Sequence, residues 1–486
     1  MMTERAELVF IPCPLMGHAI SMVEVVKLLV DREERLSATV LVTKLDHSST
    51  AKALVDYVST SYFSSRIRFV ELPPLQPGNA SGLGATVDLI SSLEGIKPNV
   101  RDLVLGLTKN SGSDSSLPRL AGFVIDMFCI TMLDVAEELR VPSYIFYTSS
   151  VNLLGISLYL QALKDDHQLD ISALADPDAS VDYPGFTSPV PSRFLPSVML
   201  DMGSASVILK FTRRFREAKG ILVNTFEGLE ARAMESAFDD KVPPVYPVGP
   251  ILNLRSLVDE DDAGAADALD WLDKQPQASV VFLCFGSMGS FPEEQVRQIA
   301  HALERTGHRF LWSLRRPRQS EGKFKFEFAS SYENPEEIFP DGFMDRTAGK
   351  GKIIGWVSQV QVLAHPAVGG FVSHCGWNSV LESIWFGVPM AVWPVFADQQ
   401  LNAFALVEDL GVAVDIRMDY SCDNLSGKRA IVPAEEIERG INRLMDTEVE
   451  AKEKMKRMSE KSRRAKVEGG SSQLNLERFI KNTHLN

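Results

Sequence analysis

Twice along this chain, short apolar runs alternate with segments whose apolar residues recur at helical spacing. In the first half the runs fall at 8–13, 38–43, 67–72, 120–127 and 141–147, and segment 19–36 carries Ile20, Val23, Val26 and Val30 on one helical face. In the second half they fall at 280–285, 310–314, 352–356, 370–373, 390–393 and 412–416. Such runs read as strands buried on both faces, and their alternation with helices predicts parallel sheets wrapped by helices. The expected class is α/β, with two doubly wound units. A chain of 486 residues also exceeds the size at which one core keeps growing, which suits two domains of about 200–250 residues. The Pro-, Gly- and Asp-rich stretch at 246–268 reads as a linker between units at 1–245 and 269–465. A polar stretch at 316–340 reads as a surface insertion. Near the end, Gly469-Gly470-Ser471-Ser472 breaks a long charged helix, and 473–481 predicts one more inside a C-terminal piece at 466–486.

Charge and cysteine usage exclude several functions. A net charge of −14 argues against a nucleic-acid partner. The basic cluster KEKMKRMSEKSRRAK at 452–466 also holds Glu453 and Glu460 and reads as the solvated face of a helix. Five scattered cysteines (Cys13, Cys129, Cys284, Cys375, Cys422) fit neither a disulfide framework nor a CxxC zinc site. The opening MMTERAELVF lacks the apolar core of a signal peptide, and the greasy stretch 384–397 contains Pro389 and Pro394 and is too short to span a bilayer. The expected setting is the cytosol, with no membrane anchor.

The chemistry concentrates between Trp356 and Gln399, in WVSQVQVLAHPAVGGFVSHCGWNSVLESIWFGVPMAVWPVFADQ. An aromatic plate, a strand-to-helix junction and carboxylates suit a ligand with a flat base, a phosphate and a polyol, which a nucleotide sugar combines. Ser379-Val380-Leu381-Glu382 has the form of a capping box, so a helix is expected to begin at Ser379 and to offer free N–H groups to a phosphate. Ser379 and Glu382 then either serve only as caps or also accept from ribose hydroxyls. Upstream, Phe285-Gly286-Ser287-Met288-Gly289-Ser290 links a strand to a helix, as any tight turn can.

The whole segment resembles the donor-binding signature of plant secondary-product UDP-glycosyltransferases, without a gap, and the similarity extends to both termini. Two positions depart: Val357-Ser358 replaces the usual Ala-Pro, and Asp398 stands where Glu is at least as usual. The resemblance implies the two-domain GT-B fold, with the last helix crossing back to the first domain. It implies that Trp356 stacks on uracil, with the Val357 backbone and Gln359 completing the nucleoside contacts. It places His374 and Ser287 at the diphosphate, together with Trp377, Asn378 and Ser379 of the same motif, and Glu382 at the ribose. It assigns Asp398, Gln399 and Thr148 to the sugar, and Gln399 favours glucose over galactose.

A histidine, His18, follows the first apolar run in Pro14-Leu15-Met16-Gly17-His18, and Asp126 closes Gly122-Phe123-Val124-Ile125-Asp126. His18 is expected on a loop facing the cleft. A carboxylate at the end of an apolar strand is costly unless partnered, either by His18 or by the start of a helix at 130–139. By resemblance, His18 is the general base, a task suited to imidazole, and Asp126 orients it. The reaction implied is a single displacement from UDP-glucose, needing no metal and no cofactor, that gives a β-glucoside. The triplet Asp259-Glu260-Asp261 imitates a metal-binding DxD but lies in the acidic linker. The acceptor is expected to be an apolar hydroxylated small molecule (flavonoid, phenolic or triterpenoid), bound by a monomer. Its walls would be loops 73–98 and 186–202, with Leu75, Leu83, Leu89, Phe194, Leu195, Val198 and Met199. Use of another UDP-sugar is the alternative, as is a silent sugar-nucleotide binder, which loss of His18 or Asp126 would have suggested. A dehydrogenase would need GxGxxG after the first strand, and the loop here does not supply it.

Overall fold

A computed structural model describes residues 5–44, 57, 64–76, 81–113, 118–166, 170–176, 178–254, 263–317, 330–420, 430–446 and 450–483. The Asp259-Glu260-Asp261 triplet, Cys422 and residues 318–329 of the polar insertion lie outside them. In chain order the strands are β1 (Ala6–Ile11), β2 (Leu36–Val42), β3 (Ile67–Glu71), β4 (Arg119–Asp126), β5 (Ser143–Tyr147), a short pair β6 (Ser180–Val181) and β7 (Val190–Pro191), then β8 (Ile221–Val223) and β9 (Val245–Pro247). The second unit holds β10 (Val280–Cys284), β11 (Arg309–Ser313), β12 (Gly351–Ile354), β13 (Val368–Ser373), β14 (Met390–Val392) and β15 (Ala413–Asp415).

The first sheet has the order β3-β2-β1-β4-β5-β8-β9 and the second β12-β11-β10-β13-β14-β15. Every pairing in both is parallel. Each predicted apolar run forms a strand; side chains on both faces of β1 and β10 are buried under helices, whereas β3 and β12, expected to be buried, lie at sheet edges and are only partly covered. The strands β8 and β9 were not foreseen. At three residues each they are too short to show a period. Because β9 belongs to the first sheet, the connection between units starts after Pro247 rather than at Tyr246.

The chain returns to the first unit at its end. Helix Ser471–Asn482 sets Phe479 edge-on against Tyr144 and Tyr246, at 5.0 and 5.7 Å between ring centres. Asn482 Nδ2 donates to the Tyr246 hydroxyl at 2.6 Å. In both sheets the chain reverses direction across the sheet between one pair of neighbours, β1/β4 in the first and β10/β13 in the second. Carboxyl ends at such a reversal leave a crevice where ligands of doubly wound folds bind.

Candidate active site

At the first crevice, the helix Met16–Arg32 begins soon after β1, and His18 sits in its first turn rather than on a loop. The Leu15 carbonyl accepts from His18 N at 3.0 Å and Ala19 N at 2.8 Å, which starts the helix that early. Asp126, the last residue of β4, is fully buried. Its Oδ2 lies 2.9 Å from His18 Nδ1, and its Oδ1 accepts from Phe128 N at 2.9 Å. Partnering and capping, alternatives on the sequence alone, are thus both realised by one carboxylate. Thr148 Oγ1 also stands 2.7 Å from Nδ1. A ring nitrogen carries one proton, and the anionic partner wins it, so we assign the proton to Nδ1, donating to Asp126. That leaves the Nε2 lone pair, which makes no hydrogen bond among the described residues. Phe128 stacks on the imidazole at 5.0 Å.

The second crevice is built from the loops after β10 and β13. Cys375 adopts φ +62, Gly376 is extended at ψ 137, and the helix Trp377–Phe386 starts two residues before the expected Ser379. No side chain caps it, so the capping box is not formed. Ser379 Oγ and Glu382 Oε2 instead accept from Gln359 Nε2 at 2.8 and 2.6 Å. The N–H groups of Trp377, Asn378 and Ser379 make no hydrogen bond among the described residues, which is the anion-accepting arrangement of a helix start. Burial pushes the Glu382 carboxyl up to about 7, against the opposing hydrogen bond from Gln359. Burial pushes the His374 imidazole down to about 4, so that ring is neutral at neutral pH. A Cβ on Gly286 or on Gly376 would stand 2.6 or 2.5 Å from His374 Nε2, so both loops need glycine to admit the ring. Ser287 lies half-buried in the same β10 loop.

After β12, Trp356 is 40 % exposed, with the Arg315 guanidinium 5.4 Å from its ring centre, while Val357 is buried. The Trp377 indole is packed into the second unit's core and donates to the Asn224 carbonyl at 2.7 Å, leaving its backbone at the helix start. Asp398 Oδ2 accepts from Ser149 Oγ and from Asn402 Nδ2. Gln399 Oε1 accepts from Val395 N at 2.9 Å and Phe396 N at 3.0 Å, which locks the turn at Ala397, itself at φ +62. The two crevices face each other. Asn378 Nδ2 donates to the Gly17 carbonyl at 3.1 Å, one residue from His18.

Residues 242–433 match the family model described as UDP-glucoronosyl and UDP-glucosyl transferase. UDP-glycosyltransferase 71A15 of Malus domestica is 48 % identical, over 99 % of either chain. The putative UDP-glucose flavonoid 3-O-glucosyltransferase 3 of Fragaria ananassa is 49 % identical, again over 99 % of each. The chain belongs to the UDP-glycosyltransferases. UGT71G1 of Medicago truncatula, solved with UDP-glucose, matches this UDP-glycosyltransferase with a TM-score of 0.87 and 38 % identity, over 99 % of both chains. A transferase from Siraitia grosvenorii, solved with UDP, matches at 0.85 and 44 %, covering 99 % of this chain and 100 % of that one. The enzyme is a two-domain glycosyltransferase of the GT-B type, and among its described residues no helix is long and apolar enough to cross a membrane.

Three parts of the glycosyltransferase's site were absent from the sequence reading. Phe128 follows Asp126 by two positions, and Ser149 follows Thr148 by one; either lay within reach of a residue already singled out. Arg315 comes two residues after β11, so the carboxyl-end rule that pointed to His374 and Trp356 points to it as well. The Asn378–Gly17 contact joins residues 361 positions apart and carries no local signal.

Proposed function

We propose that this UDP-glycosyltransferase moves glucose from UDP-glucose to a hydroxyl of an apolar small molecule by single displacement, without a metal ion or other cofactor, giving a β-glucoside. The observation that carries the reading is the Asn378–Gly17 contact, which sets the His18–Asp126 pair beside an uncapped helix start. In this reading the acceptor hydroxyl gives its proton to His18 Nε2, and its oxygen attacks the anomeric carbon from the face opposite the phosphate. The bond to the UDP oxygen breaks with its electron pair, and the charge that develops is met by the N–H groups of Trp377, Asn378 and Ser379. Asp126 holds the ring and stabilises the imidazolium that forms. Trp356, Val357 and Gln359 take the uridine, Glu382 the ribose, His374 and Ser287 the diphosphate, and Asp398, Gln399 and Thr148 the sugar. The Gln399 carbonyl is held by two backbone N–H groups, so in this reading its amide N–H is the group left to donate to the sugar.

Leu75, Leu89, Phe194, Leu195 and Met199 are buried in the core that also contains Ile130 and Met132, with Val198 and Phe128 partly buried against it. An acceptor resting on Phe128 and Val198 meets an apolar wall, which favours flavonoids, phenolics and triterpenoids over sugars. The relative from Fragaria carries a flavonoid acceptor in its name, which agrees with that choice. Buried free thiols at Cys13, Cys129, Cys284 and Cys375 suit a cytosolic setting. The test is UDP release from UDP-glucose, in EDTA, against flavonols, simple phenols and triterpene alcohols, with the anomeric proton of each product read by NMR. Acceptor-dependent release with a β-linked product is expected. Release that requires an added divalent cation, or an α-linked product, would overturn the mechanism.

A further inference from the structure

An indole that stacks on a nucleobase must present one face at a fixed angle. Trp356 is exposed and lies two residues past β12, where solvent alone would leave it several rotamers. The neighbouring strand supplies a second layer. β11 and β12 pair in parallel, with Ser313 opposite Ile354, so the segments that follow them leave the sheet side by side. Arg315, two residues past β11, holds its guanidinium over the Trp356 ring. Arg315 is only 9 % exposed, and a guanidinium withdrawn from water attracts an aromatic face more strongly than a solvated one.

The pair is braced by its surroundings. Ser313 Oγ donates to the Gly355 carbonyl at 2.8 Å, which fixes the residue ahead of Trp356. Ser330 and Ser331 of the polar insertion close on the same place. Arg316 N donates to the Ser330 carbonyl at 2.7 Å, and Arg315 Nη1 lies 3.5 Å from Ser331 Oγ. A Cβ on Gly355 would stand 2.6 Å from that Ser331 Oγ, so the glycine is what lets Ser331 pack against this loop. An indole has two faces. The guanidinium covers one, and the other is left for the base.

We propose that Arg315 is a positioning residue for the nucleotide donor: its guanidinium holds the Trp356 indole from one face so that uracil stacks on the other. The proposal rests on the reading of Trp356 as the platform for uracil. Its gain is preorganisation, since a side chain already held in its bound rotamer loses no further freedom when the nucleotide arrives. In this arrangement Arg315 acts on donor binding and leaves the displacement itself to His18 and the helix start.

The test is a double-mutant cycle on UDP affinity, measured by calorimetry on the full chain for wild type, Arg315→Met, Trp356→Leu and the two combined. Methionine keeps part of the arginine stem and removes the charge. Arg315→Met should weaken UDP by about three- to tenfold, the cost of ordering one side chain. The KM for UDP-glucose should rise by the same factor, with kcat at saturating donor unchanged. Arg315→Lys keeps a cation for the ring but not its flat surface, and should fall between the two. The same cycle run with lysine carries the test if the methionine variant does not fold. On the Trp356→Leu background the Arg315 change should cost nothing further, because the arginine has lost what it holds. Unchanged UDP affinity when Arg315 alone is replaced would overturn the proposal. So would an undiminished loss on the Trp356→Leu background, which would make Arg315 a direct ligand of the nucleotide, or a loss confined to kcat. Full UDP affinity in Trp356→Leu would remove the uracil platform itself and this proposal with it, which tells the two failures apart.

Discussion

Asp126 illustrates how much one side chain decides at this site. Its two oxygens serve different masters, the Phe128 N–H and the His18 ring, and neither duty can be dropped without exposing a buried charge. Asp126→Asn keeps the size and the Phe128 hydrogen bond but offers an N–H to His18 Nδ1. The ring proton then moves to Nε2, and the base becomes a donor. Turnover should fall by about 10²- to 10⁴-fold with UDP-glucose affinity retained, as it should in His18→Ala. Binding and rate measured side by side check this, and unchanged turnover in either variant would remove the assigned base. Glu382 adds a pH dependence. Its carboxyl is held up to about 7, so below that pH the folded chain keeps a proton that the unfolded chain has lost, and unliganded stability falls as pH rises from the ordinary carboxyl range towards 7. Ribose hydroxyls favour the ionised form, so UDP binding should release a proton and weaken by up to about tenfold per pH unit below 7. Glu382→Gln should flatten that profile in titrations from pH 6 to 8; a profile identical to wild type would assign the dependence to the nucleotide's own phosphate.

At the level of elements, strands buried on both faces were legible because nothing but apolar residues can fill them, and the parallel sheets followed from their alternation with helices, whereas the strand order came only from the structure. What escaped was short or bent. The three-residue strands β8 and β9 hold too few positions to show a period. The donor helix starts at Trp377 because the chain turns at Cys375, and a left-handed cysteine is not something a sequence pattern announces. The Ser379–Glu382 spacing matched a cap, yet both side chains were claimed by Gln359 from the neighbouring helix Gln359–Ala364. Glycines flanking His374 were visible, but the reason for them was not: the ring occupies the space each Cβ would take. Gly376 has an ordinary negative φ, so Gly376→Ala tests crowding alone. It should cost about 1–3 kcal/mol of stability and weaken UDP binding together, as the displaced ring enters the phosphate site. Lost stability with unchanged UDP affinity would separate His374 from the diphosphate.

On the scale of the whole molecule, the cleft depends on contacts that cross it and on the last helix that straps one unit to the other. Asn378 reaches Gly17, Trp377 reaches Asn224, and Thr187 reaches Asp409, and apolar side chains cross as well: Phe404 packs against Phe186 and Phe194, and Phe226 and Leu229 sit in the second unit's core. The helix Ser471–Asn482 differs in kind. Phe479 is fully buried between Tyr144 and Tyr246, in the first unit's core cluster with Leu476 and Ile480. Phe479→Ala empties a site whose aromatic walls cannot collapse, so a loss of about 3–5 kcal/mol is expected. Because that core belongs to the first unit, the loss should appear as an earlier melting transition of the first unit. The donor loops sit on the second sheet, so below that transition UDP should still bind the variant with nearly normal affinity. Calorimetry with and without UDP separates the cases: one cooperative transition that drops as a whole would mean that the strap makes both units a single folding unit.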